Sequence, residues 1–330
     1  MPTDIFSIRL REARQMMGYS MERLSSLTRH EVTKQSISKY ESGKMLPRGA
    51  TLKKLAQALD ISADYFAGRG MQIDKPMLRN AFKTPLEPEE TQRLVAMLSF
   101  WAEQYVSAEK RTGMETPFVN PLADTEVDSL ENVSAAADRL RQAWNLGSGV
   151  IPSILRLMER KGIKILNHQL PMNVLGLSTW ADGAYPLVVI DMSHEKHTVE
   201  RLRFTAAHEL GHIVLNIPDG EKRETYCNQF AGCFLLPKST LYEEIGCAHR
   251  DKVTLEELID LHEAYGLSVS ALVHELKDFD IIDEKYYHWW YDERINKNPK
   301  EVGWGEYLFP ETIGREKRVR SNIKNNNLKQ

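Results

Sequence analysis

The residues of this chain best suited to chemistry are two histidines and a glutamate in the stretch His208-Glu209-Leu210-Gly211-His212. Residues four apart on a helix lie on one face, so the two imidazoles can bind a single metal ion. Glu209 lies between them, where a carboxylate can act as the general base that activates a water molecule. A five-residue pattern can arise by chance in a chain of 330 residues, so its interpretation depends on the surrounding sequence.

The surrounding sequence places this pattern on a helix. Apolar residues recur at helical spacing from Leu202 to Val214, and Pro218 marks the helix end. Upstream, the run from Pro186 to Ile190 is rich in β-branched residues and predicts a short strand, either buried or at a sheet edge. A strand beside a metal-binding helix offers an edge to which an extended peptide can add, and peptidases of the zincin class need this arrangement.

A catalytic zinc site usually carries three protein ligands, so a third ligand is expected on an element that packs against this helix. Glu224 lies at the start of the next predicted helix, which runs to Pro237, and can supply a carboxylate. Asn228, one turn later on the same face, can hydrogen-bond a ligand histidine and fix its tautomer. Two alternatives stay open: Glu224 is only a solvated carboxylate at a helix start, or Cys227 is the ligand. Cys227 is rather expected to pack as a small hydrophobic residue.

Together these motifs resemble the ImmA/IrrE family of bacterial metallopeptidases. The resemblance covers about residues 130–290 and rests on the Arg203–His212 and Glu224–Pro237 segments. It implies a zincin-like α+β fold, zinc as the cofactor and a metalloendopeptidase activity of the gluzincin type. In that family the two motif histidines and the later glutamate bind zinc, and the motif glutamate is catalytic. The resemblance therefore gives the metal-binding role to His208, His212 and Glu224, and the catalytic role to Glu209.

The first seventy residues contain a second pattern, a series of short helical segments predicted at about 5–17, 21–28, 34–41, 50–59 and 63–67. Between Lys34 and Lys44, Ile37 is expected to face the core while polar side chains face outward, as a helix that contacts DNA requires. The expected DNA-binding residues are Lys34, Gln35, Ser36, Ser38, Lys39 and Lys44. This pattern resembles the Cro/C1-type (XRE) helix-turn-helix domain, which implies a double-stranded DNA operator as partner.

Charge is distributed unevenly along the chain. Residues 1–70 contain twelve Lys and Arg against seven Asp and Glu, a net charge of +5, whereas the remainder carries −8, which leaves −3 overall. A basic module on an acidic body is expected if only the first part contacts phosphate. The three cysteines have no paired spacing, and we find neither a signal peptide nor an apolar run of membrane-spanning length. The composition therefore predicts a cytoplasmic protein without a disulfide framework or a membrane partner.

The sequence predicts a mainly α protein with a small β-sheet. Its expected parts are a five-helix DNA-binding domain (1–70), a helical connector (71–130), an α+β zincin-like metallopeptidase domain (131–290) and a C-terminal extension (291–330) with a disordered basic tail from Arg315. In the connector, an apolar stripe between Pro88 and Arg111 predicts a helix. This helix either packs on the peptidase domain or forms the interface of a homodimer. The second alternative is suggested because repressors of this type usually bind paired half-sites.

Two functions fit these features. In the first, the protein is a DNA-binding transcriptional regulator whose zinc endopeptidase domain cleaves a regulatory protein partner, such as a repressor. In the second, it is a DNA-binding repressor or antitoxin whose peptidase-like domain senses a ligand or holds a cognate toxin without proteolysis. The presence of Glu209 and of a complete ligand set favours the first, because a scaffold has no need for a general base.

Overall fold

The computed structural model describes residues 3–61, 63–68, 70–74, 77–80, 87–170, 174–193, 198–218, 222–246 and 249–327. Its α-helices are α1 (Thr3–Met16), α2 (Met21–Leu27), α3 (Lys34–Glu41), α4 (Gly49–Ala58), α5 (Pro88–Thr112), α6 (Leu130–Ala143), α7 (Ile154–Arg160), α8 (Val199–Val214), α9 (Arg223–Leu235), α10 (Lys238–Ile245), α11 (Leu255–Tyr265), α12 (Val269–Asp278), α13 (Glu284–Trp290) and α14 (Arg315–Asn327). The strands are β1 (Met77–Asn80), β2 (Lys164–Asn167), β3 (Val174–Ala181) and β4 (Tyr185–Ile190). The predicted fold class, mainly α with a small sheet, is confirmed. Cys247 lies outside the described residues.

The N-terminal domain consists of α1 to α4 and a 3₁₀ helix, Ala63–Ala67, in close agreement with the five predicted segments. The side chain of Ser20 caps α2, and that of Thr33 caps α3. Ile37 is fully buried in the domain core. At the end of α3, the buried Glu41 accepts hydrogen bonds of 2.6 and 2.8 Å from the guanidinium of Arg14. This bidentate pair fixes α3 against α1.

The four strands form one mixed sheet in the order β1-β3-β4-β2. β3 is antiparallel to both of its neighbours, and β2 is parallel to β4. β4 was predicted as either a buried or an edge strand, and it lies inside the sheet with Pro186 to Ile190 all buried. β1 belongs to the connector and lies outside β3, so the connector contributes a strand that the sequence did not predict.

The predicted connector helix, α5, contacts both domains. On one side Leu98 packs with Val174 and Leu177 of the sheet. On the other, Phe100 packs edge-on against Tyr65 with 5.0 Å between the ring centroids, and its neighbour Glu103 forms an ion pair with the buried Arg9. Part of the apolar stripe is therefore covered within the chain. Neither α5 nor any other described helix has an apolar stretch long enough to cross a membrane.

The prediction of a disordered tail is wrong for the segment that forms α14. Arg315 donates a 2.9 Å hydrogen bond to Glu109 of α5, and the backbone N–H groups of Gly314 and Arg315 donate to Glu159. Val319 is fully buried against α5. The low apolar content of the segment predicted disorder, but one buried apolar residue and several charge-assisted hydrogen bonds hold the helix in place.

A buried ion pair attaches the C-terminal extension to the body of the protein. Arg203 of α8 donates to Glu311 at 2.7 Å, and both side chains are fully buried. Glu311 also accepts hydrogen bonds from the backbone N–H groups of Ile154 and Leu155 at the start of α7. Because each charge has hydrogen-bonding partners, the extension can be buried against α7 and α8 without leaving an unpaired ion.

A buried acid on α12 makes stability depend on pH. Burial raises the pKa of Glu275 well above its usual range, and the nearby Asp278 raises it further. The unfolded chain ionises this carboxyl at its ordinary pKa, so its contribution to stability is lost as pH rises above that value. The free energy of unfolding of Glu275→Gln, measured by urea denaturation, should therefore increase relative to that of the wild type as the pH is raised from about 5 to about 8. The exposed Glu256→Gln is the control, and a difference for Glu275→Gln that stays constant with pH would contradict this account.

Candidate metal centre and nucleic-acid interface

Two histidines lie one turn apart on α8, the helix that packs against β3 and β4. Thr198 caps its N-terminus by accepting a hydrogen bond from the N–H of Arg201. His208 and His212 are 1% and 4% exposed, and their Nε2 atoms lie 3.1 Å apart. The structure therefore places both imidazoles on one buried helix face, as their spacing predicts.

The neighbouring helix α9 brings a carboxylate to the same point. Glu224 has its oxygens 3.3 Å from His208 Nε2 and 3.2 Å from His212 Nε2. Its side chain is 50% exposed, so the group opens to solvent on this side. One atom from each of the three residues lies within 4.8 Å of the others. Two imidazole nitrogens and one carboxylate oxygen are the donor set of many catalytic zinc sites, so these residues fit a zinc ion.

The other ring nitrogen of each histidine also has a partner on α9. Asn228 Oδ1 lies 2.9 Å from His208 Nδ1, as the sequence predicts. Cys227 Sγ lies 3.4 Å from His212 Nδ1, a contact that the prediction of simple hydrophobic packing missed. The signal for it was present, because Glu224, Cys227 and Asn228 follow the i, i+3, i+4 spacing of one helix face. Partners at both Nδ1 atoms orient both Nε2 atoms toward Glu224.

His212 and Glu224 shift each other's pKa in opposite directions. Burial alone would lower the pKa of His212, but hydrogen bonds with Cys227 and Glu224 raise it to about 10. Burial would raise the pKa of Glu224, but hydrogen bonds from His208 and His212 lower it below the usual carboxyl range. Both shifts favour an imidazolium–carboxylate pair between His212 and Glu224. A metal ion that binds here would compete with the proton of that pair.

Glu209 lies on the β3 side of α8. It is fully buried, and a Cβ atom on Gly176 of β3 would be only 3.0 Å from its Oε1 atom. Glycine at position 176 therefore allows the strand to lie directly over the carboxylate. Glu209 is thus the neighbour of His208 in the sequence, and its side chain lies beneath the sheet.

The predicted DNA-binding residues lie on or just after α3. Five of the six have exposed side chains: Lys34, Gln35, Ser38, Lys39 and Lys44. The sixth, Ser36, is half-buried and hydrogen-bonds Thr33 at the start of the helix, which suits it to a structural role. Glu22 lies 3.5 Å from Lys34 and partly neutralises its charge. Gln35 and Lys39, on the exposed side of α3, are the best-placed candidates for contacts to base and phosphate.

Comparisons with known proteins match both domains of the chain. The helix-turn-helix family model matches residues 10–66, and the model of the IrrE N-terminal-like domain, a peptidase family, matches residues 158–277. The SPbeta prophage-derived uncharacterized HTH-type transcriptional regulator YonR of Bacillus subtilis (strain 168) is 35% identical over 77 residues, which cover 23% of this chain and 69% of that protein. No solved structure matches the chain.

The chain therefore belongs to the helix-turn-helix family. Its N-terminal domain is of the XRE type and is fused to an IrrE/ImmA-like peptidase domain. A helix-turn-helix domain of this kind binds DNA through its second motif helix, which is α3 here. Both family resemblances predicted from the sequence are thus confirmed.

Substitutions on α3 should separate the two kinds of DNA contact. Lys39→Ala should weaken binding to all sequences and reduce the salt dependence, as expected if Lys39 contacts a phosphate. Gln35→Ala should mainly relax the preference at one base pair, by roughly 1–3 kcal/mol. Anisotropy titrations on operator and random duplexes at several salt concentrations measure both effects, with Lys252→Ala as an exposed control on the other domain. An equal loss on both duplexes for Gln35→Ala would show that this side chain does not contact a base.

Proposed function

We propose that this protein is a DNA-binding regulator whose IrrE-like domain is a zinc-dependent endopeptidase acting on a regulatory protein partner. The observation that carries the proposal is the convergence of His208, His212 and Glu224, with Glu209 next to His208 in the sequence. The helix-turn-helix domain would bring this centre to an operator, where a DNA-bound partner is within reach. We expect the protein to bind a pseudo-palindromic site as a homodimer, as other proteins of this type do.

In the proposed hydrolysis of a peptide bond, the zinc ion and the side chains of the protein have separate roles. When bound by His208, His212 and Glu224, zinc supplies a Lewis acid for the scissile carbonyl. Glu209 accepts a proton from the attacking water and transfers it to the leaving amine as the C–N bond breaks. The products are a new carboxylate and a new amine. Asn228 and Cys227 keep the imidazole rings oriented, which preserves the ligand geometry during turnover.

A second function is favoured by a cavity beside the candidate metal centre. The cavity has a volume of about 500 Å³ and lies against Asn228, the partner of His208. Aromatic side chains (Phe204, Tyr287 and Tyr291) and polar ones (Gln229 and Ser270) line it together, as is usual for small-molecule sites. In this alternative the domain senses a ligand or holds a toxin, and the protein is a repressor or antitoxin without proteolysis.

Metal analysis tests the ligand set. The purified chain should contain about one zinc ion, and His208→Ala should lose it. Zinc should also raise the melting temperature, because the ligands join α8 to α9 and binding then favours the folded state. The exposed His288→Ala, outside the cluster, is the matched control and should keep its zinc. A wild-type chain that binds no zinc, or a His208→Ala variant with unchanged zinc, would refute the ligand assignment.

Glu209→Gln tests whether proteolysis is the function. The substitution keeps the side-chain size but removes the general base, so zinc content and DNA binding should stay unchanged while cleavage is lost. The variant should be expressed in the native host while transcripts of the neighbouring genes and the sizes of their protein products are followed. Loss of a cleaved partner, or repression that no longer lifts, supports the peptidase. Unchanged regulation would make the chemistry dispensable and favour the repressor or antitoxin.

A further inference from the structure

One edge of β3 is occupied by the protein's own connector. The other edge of β3 is paired with β4. Along the connector edge, the N–H of Asp74 donates to the carbonyl of Trp180 at 2.9 Å, and the strand β1 then pairs antiparallel with Val174 to Ser178. Residues 73–74 and 77–80 therefore follow the strand β3 over most of the length of that strand.

This edge lies beside the candidate catalytic carboxylate. Arg79 of β1 is the register partner of Gly176, the residue whose missing side chain leaves room for Glu209. β1 also contacts α8, the helix that carries the histidines. Neighbouring strands lie about 4.8 Å apart, so β1 runs within one strand spacing of the backbone that covers Glu209. An extended peptide that paired with β3 would have to occupy this same position.

Two further observations fit a closed arrangement. Glu209 is 0% exposed, so a general base at this position is shielded from the water that it would have to activate. β1 is only four residues long, and its register shifts between Arg79 and Asn80. A short strand with an irregular register forms few ladder hydrogen bonds, so another peptide segment can replace it at small cost.

We propose that β1 is an internal occupant of the peptide-docking edge of β3 and that an extended segment of a protein substrate displaces it. This inference rests on the proposed peptidase function and adds a form of regulation to it. The site would select an extended main chain through backbone hydrogen bonds. Peptidase activity would then be low until a partner supplies a segment that pairs with β3 better than residues 77–80 do.

A binding assay tests this without requiring cleavage. The parent is the zinc-loaded full-length chain carrying Glu209→Gln, and the probe is a fluorescein-labelled synthetic peptide with the sequence of residues 74–83. The variant Leu78→Pro/Arg79→Pro removes two backbone donors from β1, and Leu78→Ala/Arg79→Ala is the matched control because it keeps them. The proline variant should bind the peptide at least about tenfold more tightly than the parent or the alanine control, measured by fluorescence anisotropy.

Hydrogen exchange supplies the second measurement. Amides of β3 should exchange faster in the proline variant than in the alanine control, and added peptide should restore their protection. If the proline variant does not fold, millimolar peptide added to the parent should instead speed exchange in residues 70–80 and leave α8 unchanged. Equal β3 exchange in all chains, or an exposed β3 that binds no peptide, would overturn the proposal. If the peptide binds but the wild-type chain shows no proteolysis, the proposal that peptides dock at the β3 edge is supported and only the proposed peptidase activity is refuted.

Discussion

The close approach of α8 and α9 is the constraint on which the candidate centre depends. Gly211 precedes His212, and a Cβ atom there would lie 3.3 Å from Cys227 Sγ and 3.4 Å from Cys227 Cα. A larger residue at position 211 would crowd these atoms and the ring of Phe230, 3.2 Å away, and would favour a wider spacing of the two helices. Glu224 lies one turn before Cys227 on α9, so its distance from the imidazoles depends on this spacing. The glycine thus helps α9 to come close enough for a carboxylate to join the two histidines of α8.

One face of α9 supplies everything that the two histidines lack. Glu224 brings the candidate third ligand, and Cys227 and Asn228 lie within hydrogen-bond distance of the two Nδ1 atoms. Both imidazoles are buried, so leaving either Nδ1 atom without a partner would cost the desolvation of a polar group. The carboxylate, by contrast, is half-exposed. The arrangement therefore combines buried, oriented imidazoles with an opening to solvent on the Glu224 side.

Local patterns were enough to predict much of this structure. The predicted segment 34–41 has the same bounds as α3, and helical spacing alone placed Asn228 beside a histidine. The errors concern contacts between distant parts of the chain. Arg315 and Glu109 are separated by 206 residues, and the composition of the tail contains no sign of that ion pair. The pairing of Arg79 with Gly176 is equally invisible, because a four-residue strand has too short a pattern to reveal its partner.

The connector contacts both halves of the molecule. Its first residues contact α5 through a 2.7 Å hydrogen bond from Ser99 to the carbonyl of Met71, and β1 lies on the sheet a few residues later. α5 in turn holds the DNA-binding domain through Glu103 and Arg9. If displacing β1 changes how that domain docks on α5, a substrate that enters the β3 edge alters affinity for DNA. Thermodynamic linkage requires the reverse as well: DNA that favours one docked arrangement alters affinity for the substrate by the same factor.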